Sequence, residues 1–453
     1  MKNALITKLY SYLGNNHFLS LAGNLIVSFM SIISASLIFR SLNISEVGMW
    51  ILFTSMLGLI DSVRAGFITT AFIRAYSGAT AERAAEVVGS TWLIAILITG
   101  AFMLLNLVVY IFPIPVDNDG MALFLKWFSI TFLFTLPGFI AGCVLQAELR
   151  FDKLLYLRLI SQGLFVAGIL VMMLTKQATL ERLLYWNLTR EGLTSLVSLV
   201  FGWTKVRQFR NRSTECAKEL GHFGKYSIGS FIGSMLLRNS DTFIINFMIG
   251  PAALAVYNLA QRFMEIIEIP LRSSIATAIP ALSAAFNQND RGKLNHVLEK
   301  NAGVITWALV PIIVGMLIFA DVLVYLLGGS KYTSTEAANI LRIFLLIAIM
   351  FPIDRFFGVT LDVMNRPKMN LIKVFLTLFV SVLTNFIGIW LFKGIYGVAW
   401  ASAPTILVGF LFGYYMLKRE MPVSIPAILH TGFDEGKKLI TDFVVKLRPA
   451  RSY

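Results

Sequence analysis

Residues 227–249 read SIGSFIGSMLLRNSDTFIINFMI. The stretch is long and apolar enough to cross a bilayer, for which about 20 residues suffice, yet Arg238 and Asp241 sit near its middle. An arginine at the centre of a span costs roughly 2.5–3.5 kcal/mol on insertion scales, so it is expected to face a bundle interior or a wet cavity, away from lipid. Ser227, Ser230, Ser234, Arg238 and Asp241 follow at spacings of 3, 4, 4 and 3, which at 100° per residue is one stripe of a helix less than about 90° wide.

Working outward, apolar runs of similar length recur over the whole chain. The 453 residues are 57% hydrophobic and only 14% charged, with a formal charge of +14; a soluble domain would carry about 25% charged residues. The composition implies an all-α polytopic membrane protein. Twelve spans are expected near 17–39, 47–73, 87–112, 122–146, 154–175, 181–203, 226–249, 253–281, 301–327, 337–363, 370–392 and 395–417. The basic stretch TKVRQFRNRSTECAKELGHFGK lies between the sixth and seventh. It divides the chain into a first bundle (1–203), a basic linker (204–225), a second bundle (226–417) and a polar tail (418–453). In the tail, Phe433, Ile440, Phe443, Val444 and Leu447 fit an amphipathic helix lying in the interface, with Lys437 and Lys438 on its polar side; a disordered tail is the alternative.

Lysine and arginine asymmetry orients the spans. Loops on one side hold Arg74, Arg83, Arg150, Lys153, the linker cations, Arg291, Lys293, Arg366 and Lys368, whereas the opposite loops include an acidic PIPVDNDG. Both termini are therefore expected in the cytoplasm. The N-terminal MKNALITKLYSYLGNNH lacks the apolar core and cleavage site of a secretory signal, so none is expected.

The halves repeat. A shift of 207 lays EVGMWILF over ALAVYNLA, Asp61 over Glu268, Ser31 over Arg238 and Ser34 over Asp241. Later, a shift of 216 aligns Lys126 with Arg342 and Arg150 with Arg366, and brings Pro137 within one residue of Pro352. An even number of spans per copy gives both copies one orientation, hence a pseudo-two-fold axis along the membrane normal and a central cavity.

The eighth span carries QRFMEIIEIPLRSS, with Arg262, Glu265, Glu268 and Arg272 inside one arc of about 120°. Its counterpart holds Asp61 and Arg64. The candidate cavity cations are Arg238, Arg262, Arg272 and Arg64, and the candidate coupling or pairing acids are Asp61, Asp241, Glu265, Glu268 and Asp354. Self-neutralising pairs that hold helices together are the plainer reading of the same residues. Asp354 and Arg355 point about 100° apart, so at least one is expected to face another helix. Pro137 and Pro352 are expected at kinks, and Lys126 and Arg342 are expected to snorkel. Guanidinium suits a phosphate because its fork matches the oxygens, so a diphosphate at membrane depth is the cargo these cations fit.

Enzyme classes have no support. No Walker loop or dinucleotide fingerprint occurs. His17, His222, His296 and His430 are isolated, and Cys143 and Cys216 offer no disulfide framework. No cofactor, metal or catalytic constellation is expected.

Two six-span repeats, a basic central loop and a charged cavity resemble the multidrug/oligosaccharidyl-lipid/polysaccharide flippase superfamily, and within it the bacterial O-antigen and exopolysaccharide branch. The stretch LLRNSDTFIINFMIG…AVYNLAQRFMEIIEIPLRSSIATAIPALSAAF carries the resemblance. The two additional spans of lipid-linked peptidoglycan-precursor flippases are lacking. The resemblance implies movement of an undecaprenyl-diphosphate-linked oligosaccharide across the cytoplasmic (inner) membrane by alternating access, driven through a titrating acid such as Glu265, Glu268 or Asp61. It also implies membrane lipids as partners, with a polysaccharide polymerase and a chain-length regulator as further ones, and no nucleic acid. An ion-coupled drug exporter of the same superfamily is the alternative, though it should present acids and aromatics to its cargo. A membrane-embedded polysaccharide polymerase or ligase would need a long outer loop.

Overall fold

The computed structural model describes residues 16–112, 118–392 and 394–447. The N-terminal segment 1–15, most of PIPVDNDG and residues 448–453 lie outside the described residues, as do the side chains of Ser227 and Ser230 in the polar stripe and of Ile440, Phe443, Val444 and Leu447 in the tail. Among the described residues every regular element is helical.

Each expected span is met by a helix. Spans 1 to 3 are Asn16–Ser41, Ile44–Tyr76 and Ala81–Ile111. Span 4 is Asp119–Phe134 followed by Leu136–Ala147, and spans 5 and 6 are Phe151–Leu174 and Leu180–Val200. Span 7 is Thr214–Met248 and span 8 is Pro251–Asn287. Span 9 is Arg291–Ile318 with Ala320–Gly328, and span 10 is Ala337–Ala348 with Phe351–Val363. Spans 11 and 12 are Pro367–Phe392 and Ile395–Lys418, and the tail forms a helix, Ile425–Leu447. Among the described residues, seven helices are long and apolar enough to cross a bilayer alone, eight when the bent pair of span 4 counts as one. Span 6 falls short through Glu181, Arg182, Arg190 and Glu191, and span 10 because it is two short halves.

The chain divides into two compact units, residues 1–255 and 256–453. The sequence reading puts the division at the basic stretch 204–225; the compact units divide inside span 8, and span 7 packs with the first unit. The reason lies in span 2. Its Gly48, Gly58 and Gly66 face Pro251, Met235 and Ile228 with Phe231, respectively, and a Cβ at Gly48 would overlap the Pro251 backbone. Small residues let the helices approach closely over their length. The basic stretch is itself folded onto span 3. Trp92 Nε1 donates to the Thr204 carbonyl (3.0 Å), and Ser90 Oγ donates to the Ser213 carbonyl (3.1 Å). Lys205 pairs with Glu148, whose carboxylate also accepts from Tyr76 Oη (2.8 Å).

Both expected kinks are present. Span 4 bends by 45° at Thr135, with Pro137 in the first turn of the following helix. Span 10 breaks at Ile349–Met350, with Pro352 in the matching place. Proline lacks the N–H that would continue the ladder, so carbonyls of the preceding turn need other donors.

Candidate functional site

In the first unit, those donors explain Arg64. Its side chain is 1% exposed. Nη2 reaches Asp61 Oδ1 at 2.5 Å and Thr135 Oγ1 at 2.9 Å, and Nη1 donates to the Phe132 carbonyl at 3.5 Å. The guanidinium lies 4.3 Å and 4.6 Å from the ring centroids of Phe132 and Phe139. Span 6 supports the same break, as Ser195 Oγ donates to the Phe134 carbonyl (2.6 Å). Arg64 is thus enclosed at the kink of span 4 in this conformation, while Asp61 remains half open.

Arg238 has the opposite setting. It is exposed, with no side-chain hydrogen bond or ion pair among the described residues. The internal Arg238–Asp241 pair of the plainer reading does not form; Asp241 is half-buried and Ser240 Oγ lies 3.5 Å from its Oδ1. Span 7 meets span 2 through Gly224, Ile228, Phe231 and Met235. On a helical wheel that face is roughly 20–80° from Arg238, and the polar stripe lies to the other side of it. The stripe adjoins the packing surface without forming it.

The second unit gathers the remaining candidates. Arg262 Nη1 donates to Glu265 Oε1 at 2.8 Å, and its buried Nε has no partner among the described residues. Glu268 is shared between Arg272, four residues on, and Arg355 of span 10, whose Nη2 lies 3.8 Å away. Arg272 and Arg355 are 65% and 59% exposed, whereas Glu268 is mostly buried between them. The adjacent Asp354 turns the other way: its Oδ1 lies 2.6 Å from Lys373 Nζ of span 11, which donates a hydrogen bond to the Asp354 carbonyl at 3.1 Å. Lys373 is 9% exposed. Gly409 of span 12 backs this pair, its Cβ position 3.3 Å from both Asp354 Oδ1 and Lys373 Cε. Asp354 and Arg355 therefore both face neighbouring helices.

Further charges within the spans fall outside the sequence-based set. Lys373 is one. Arg190 and Glu191, an ion pair in span 6, are two more, with Arg190 also 3.0 Å from Asn187 Oδ1 and 4.8 Å from the Phe165 ring centroid. A mid-span pair in NLTREGLTSL is a visible signal; Lys373 is not, since six residues from the start of span 11 it reads as a snorkelling end group. Lys126 is exposed beside Trp127, and Arg342 pairs with Asp321 and donates to Asn339 Oδ1 (2.7 Å). Among the described residues no group of His, Cys, Asp and Glu is placed to hold a metal.

A chain of helices with this composition and architecture has known relatives. Residues 37–337 match the profile of a family described as "Polysaccharide biosynthesis protein". The chain belongs to that family. It is 24% identical over 375 residues to the probable low-salt glycan biosynthesis flippase Agl15 of Haloferax volcanii, covering 82% of this chain and 76% of that protein. It is 22% identical over 320 residues to the teichuronic acid biosynthesis protein TuaB of Bacillus subtilis, covering 69% of this chain and 63% of TuaB. In fold it is similar to the lipid II flippase MurJ in an inward closed conformation, with a TM-score of 0.72, 17% identity and coverage of 96% and 94% of the two chains. It is also similar to an inward-facing multidrug resistance MATE transporter of the MOP superfamily, with a TM-score of 0.70, 14% identity and coverage of 87% and 95%. The fold is the one shared by MurJ and the MATE transporters.

Proposed function

We propose that this protein is a flippase for a lipid-linked glycan precursor, moving an oligosaccharide on an undecaprenyl-diphosphate carrier from the cytoplasmic to the outer leaflet of the cytoplasmic membrane. The observation that carries the reading is the Arg272–Glu268–Arg355 cluster: two exposed guanidinia at membrane depth, held by an acid too buried to screen them outward. A diphosphate entering from the open side would take the free edges of both forks, and bidentate contacts of this kind are roughly twice as strong as neutral hydrogen bonds. Arg262 on the same span supplies a further cation, and Arg238 stands exposed in the first unit. Arg64, spent on the kink of span 4, is a positioning residue in this account. Family membership and a relative named as a probable glycan biosynthesis flippase support a transporter over a polymerase or ligase. The excess of arginine favours an anionic cargo over the cationic drugs of an exporter.

Glu265, Glu268 and Asp61 are the acids through which transport would couple to a proton gradient. Both termini and the basic stretch 204–225 are assigned to the cytoplasm, and a polysaccharide polymerase and chain-length regulator are the expected neighbours in the pathway. The test is transport by reconstituted protein in which Arg238, Arg262 and Arg272 are replaced by alanine. Loss of cargo movement with unchanged folding supports the reading, lysine should restore part of it, and normal delivery by the triple variant refutes it.

A further inference from the structure

The tail helix Ile425–Leu447 is too short in apolar residues to span, yet among its described side chains only part of the apolar arc is covered. It crosses span 9 at a glycine pair, where a Cβ at Gly432 would overlap the Gly303 backbone and one at Gly303 would overlap the Ile428 carbonyl. The contacts fan out from that point. Leu429 and Phe433, one turn apart, both meet Trp307: its Nε1 donates to the Leu429 carbonyl (2.9 Å), and its ring centroid is 5.4 Å from that of Phe433. On the other side, Thr431 Oγ1 lies 3.5 Å from Glu299 Oε2 and Glu435 pairs with Lys300 at 2.6 Å. Moving one turn along the tail helix leaves the level on span 9 nearly unchanged, so the helix crosses span 9 steeply and does not run beside it.

The level of the crossing is informative. Span 9 begins with RGKLNHVLEKN and becomes continuously apolar from Ala302, so Gly303 marks its polar–apolar boundary. The chain reaches the tail helix from span 12 by a short connection after Lys418, where Lys418 and Arg419 lie over the rings of Tyr414 and Tyr415. Aromatic rings with cations beside them are the usual furniture of a headgroup layer. At 100° per residue, Ile425, Ile428, Leu429, Gly432 and Phe433 fall in one arc of about 140°, and His430, Asp434, Lys437 and Lys438 fall opposite. Span 9 occupies the edge at Ile428 and Gly432, which are buried; the other edge ends on Phe433, 52% exposed next to the exposed Trp307.

We infer that this helix is a membrane-surface element: it lies in the plane of the headgroup layer at the end where span 9 begins, with the Phe433–Trp307 edge against the acyl boundary and Lys437 and Lys438 in the phosphate region. Its occupant is the phospholipid interface, and its buried acid does not oppose this, because Glu435 is held by Lys300 and Lys438 (2.6 and 2.8 Å). Binding of such helices scales with the apolar area they sink into the interface.

The experiment uses the full chain with Cys143→Ala and Cys216→Ala, a single nitroxide label at Leu429→Cys, His430→Cys, Phe433→Cys or Lys437→Cys, and vesicles of phosphatidylcholine with phosphatidylglycerol. Accessibility is read against oxygen and a water-soluble nickel chelate. The expected result is a preference for oxygen at 429 and 433 and for the chelate at 430 and 437, the two ratios differing at least threefold. Equal ratios at all four positions would overturn the inference, meaning a helix in water. Shielding of 429 and 433 from both reagents would also overturn it, meaning a protein partner or a second copy covers that edge.

Discussion

Arg64→Ala should behave as a folding defect, and its size follows from the surroundings of the side chain. The guanidinium is 1% exposed and joins Asp61, Thr135 and the Phe132 carbonyl across the break of span 4. Removing one partner of a buried ion pair costs about 3–5 kcal/mol. Asp61 keeps access to water, which places the expected loss near the lower end, about 3 kcal/mol. At roughly 2–4 °C per kcal/mol for a unit of this size, the midpoint should fall by about 6–12 °C. Cys143 and Cys216 are both buried in the same unit, so a thiol-reactive fluorophore reports its unfolding directly. Arg272→Ala is the control: its guanidinium is 65% exposed and Glu268 keeps Arg355 nearby, so the loss should be at most about 1 kcal/mol, and the midpoint should barely move while transport drops. A shift below 2 °C for Arg64→Ala, with cargo binding lost, would show that Arg64 meets the cargo and that the kink holds without it.

Other consequences are as readily checked. An impermeant thiol reagent should label Asn211→Cys only after cells are opened and Ser334→Cys in intact cells, with native cysteines replaced; the reverse pattern would invert the topology. Gly432→Leu cannot fit against Gly303, so a label at Phe433→Cys should become more mobile than in the protein with Gly432, while transport by the bundle persists. Lys300 and then Lys438 hold the Glu435 carboxyl down to about 2; a depressed folded pKa gives stabilisation that is present above the ordinary carboxylate range and lost only as pH falls towards 2, so that label should keep its environment from pH 8 to 5. Glu265→Gln or Glu268→Gln should bind cargo yet lose gradient-driven accumulation, and full pH-dependent transport by both and by Asp61→Asn would leave these acids a structural role.

Hydropathy made all twelve helices legible, and the prolines gave both breaks, because a missing N–H acts locally whatever packs around it. The faces of the charged helices were legible too: Glu265 with Arg262 and Glu268 with Arg272 follow from spacings of three and four. What packs against each face was not. Arg64 reads like Arg272 in sequence, and only the neighbouring kink, whose open carbonyls lie about 70 residues away in the chain, separates an enclosed guanidinium from an open one. Arg355 and Lys373 acquired their acidic partners in the same non-local way, across spans 8 and 10 and spans 10 and 11. The fold of the basic stretch depends on Trp92 and Ser90 more than 100 residues upstream of their partners.

The central claim is that exposed arginines at membrane depth receive a lipid-linked diphosphate. Its most direct measurement is leaflet exchange of a purified polyprenyl-diphosphate oligosaccharide in proteoliposomes, read by the fraction open to an impermeant sugar-modifying enzyme. The wild-type protein should expose the inner-leaflet pool on both sides, and Arg272→Ala with Arg355→Ala should slow this at least tenfold without a change in thermal midpoint. Equal exchange by wild type and the double variant, or no exchange by folded wild type while a cationic dye is exported, would contradict the account.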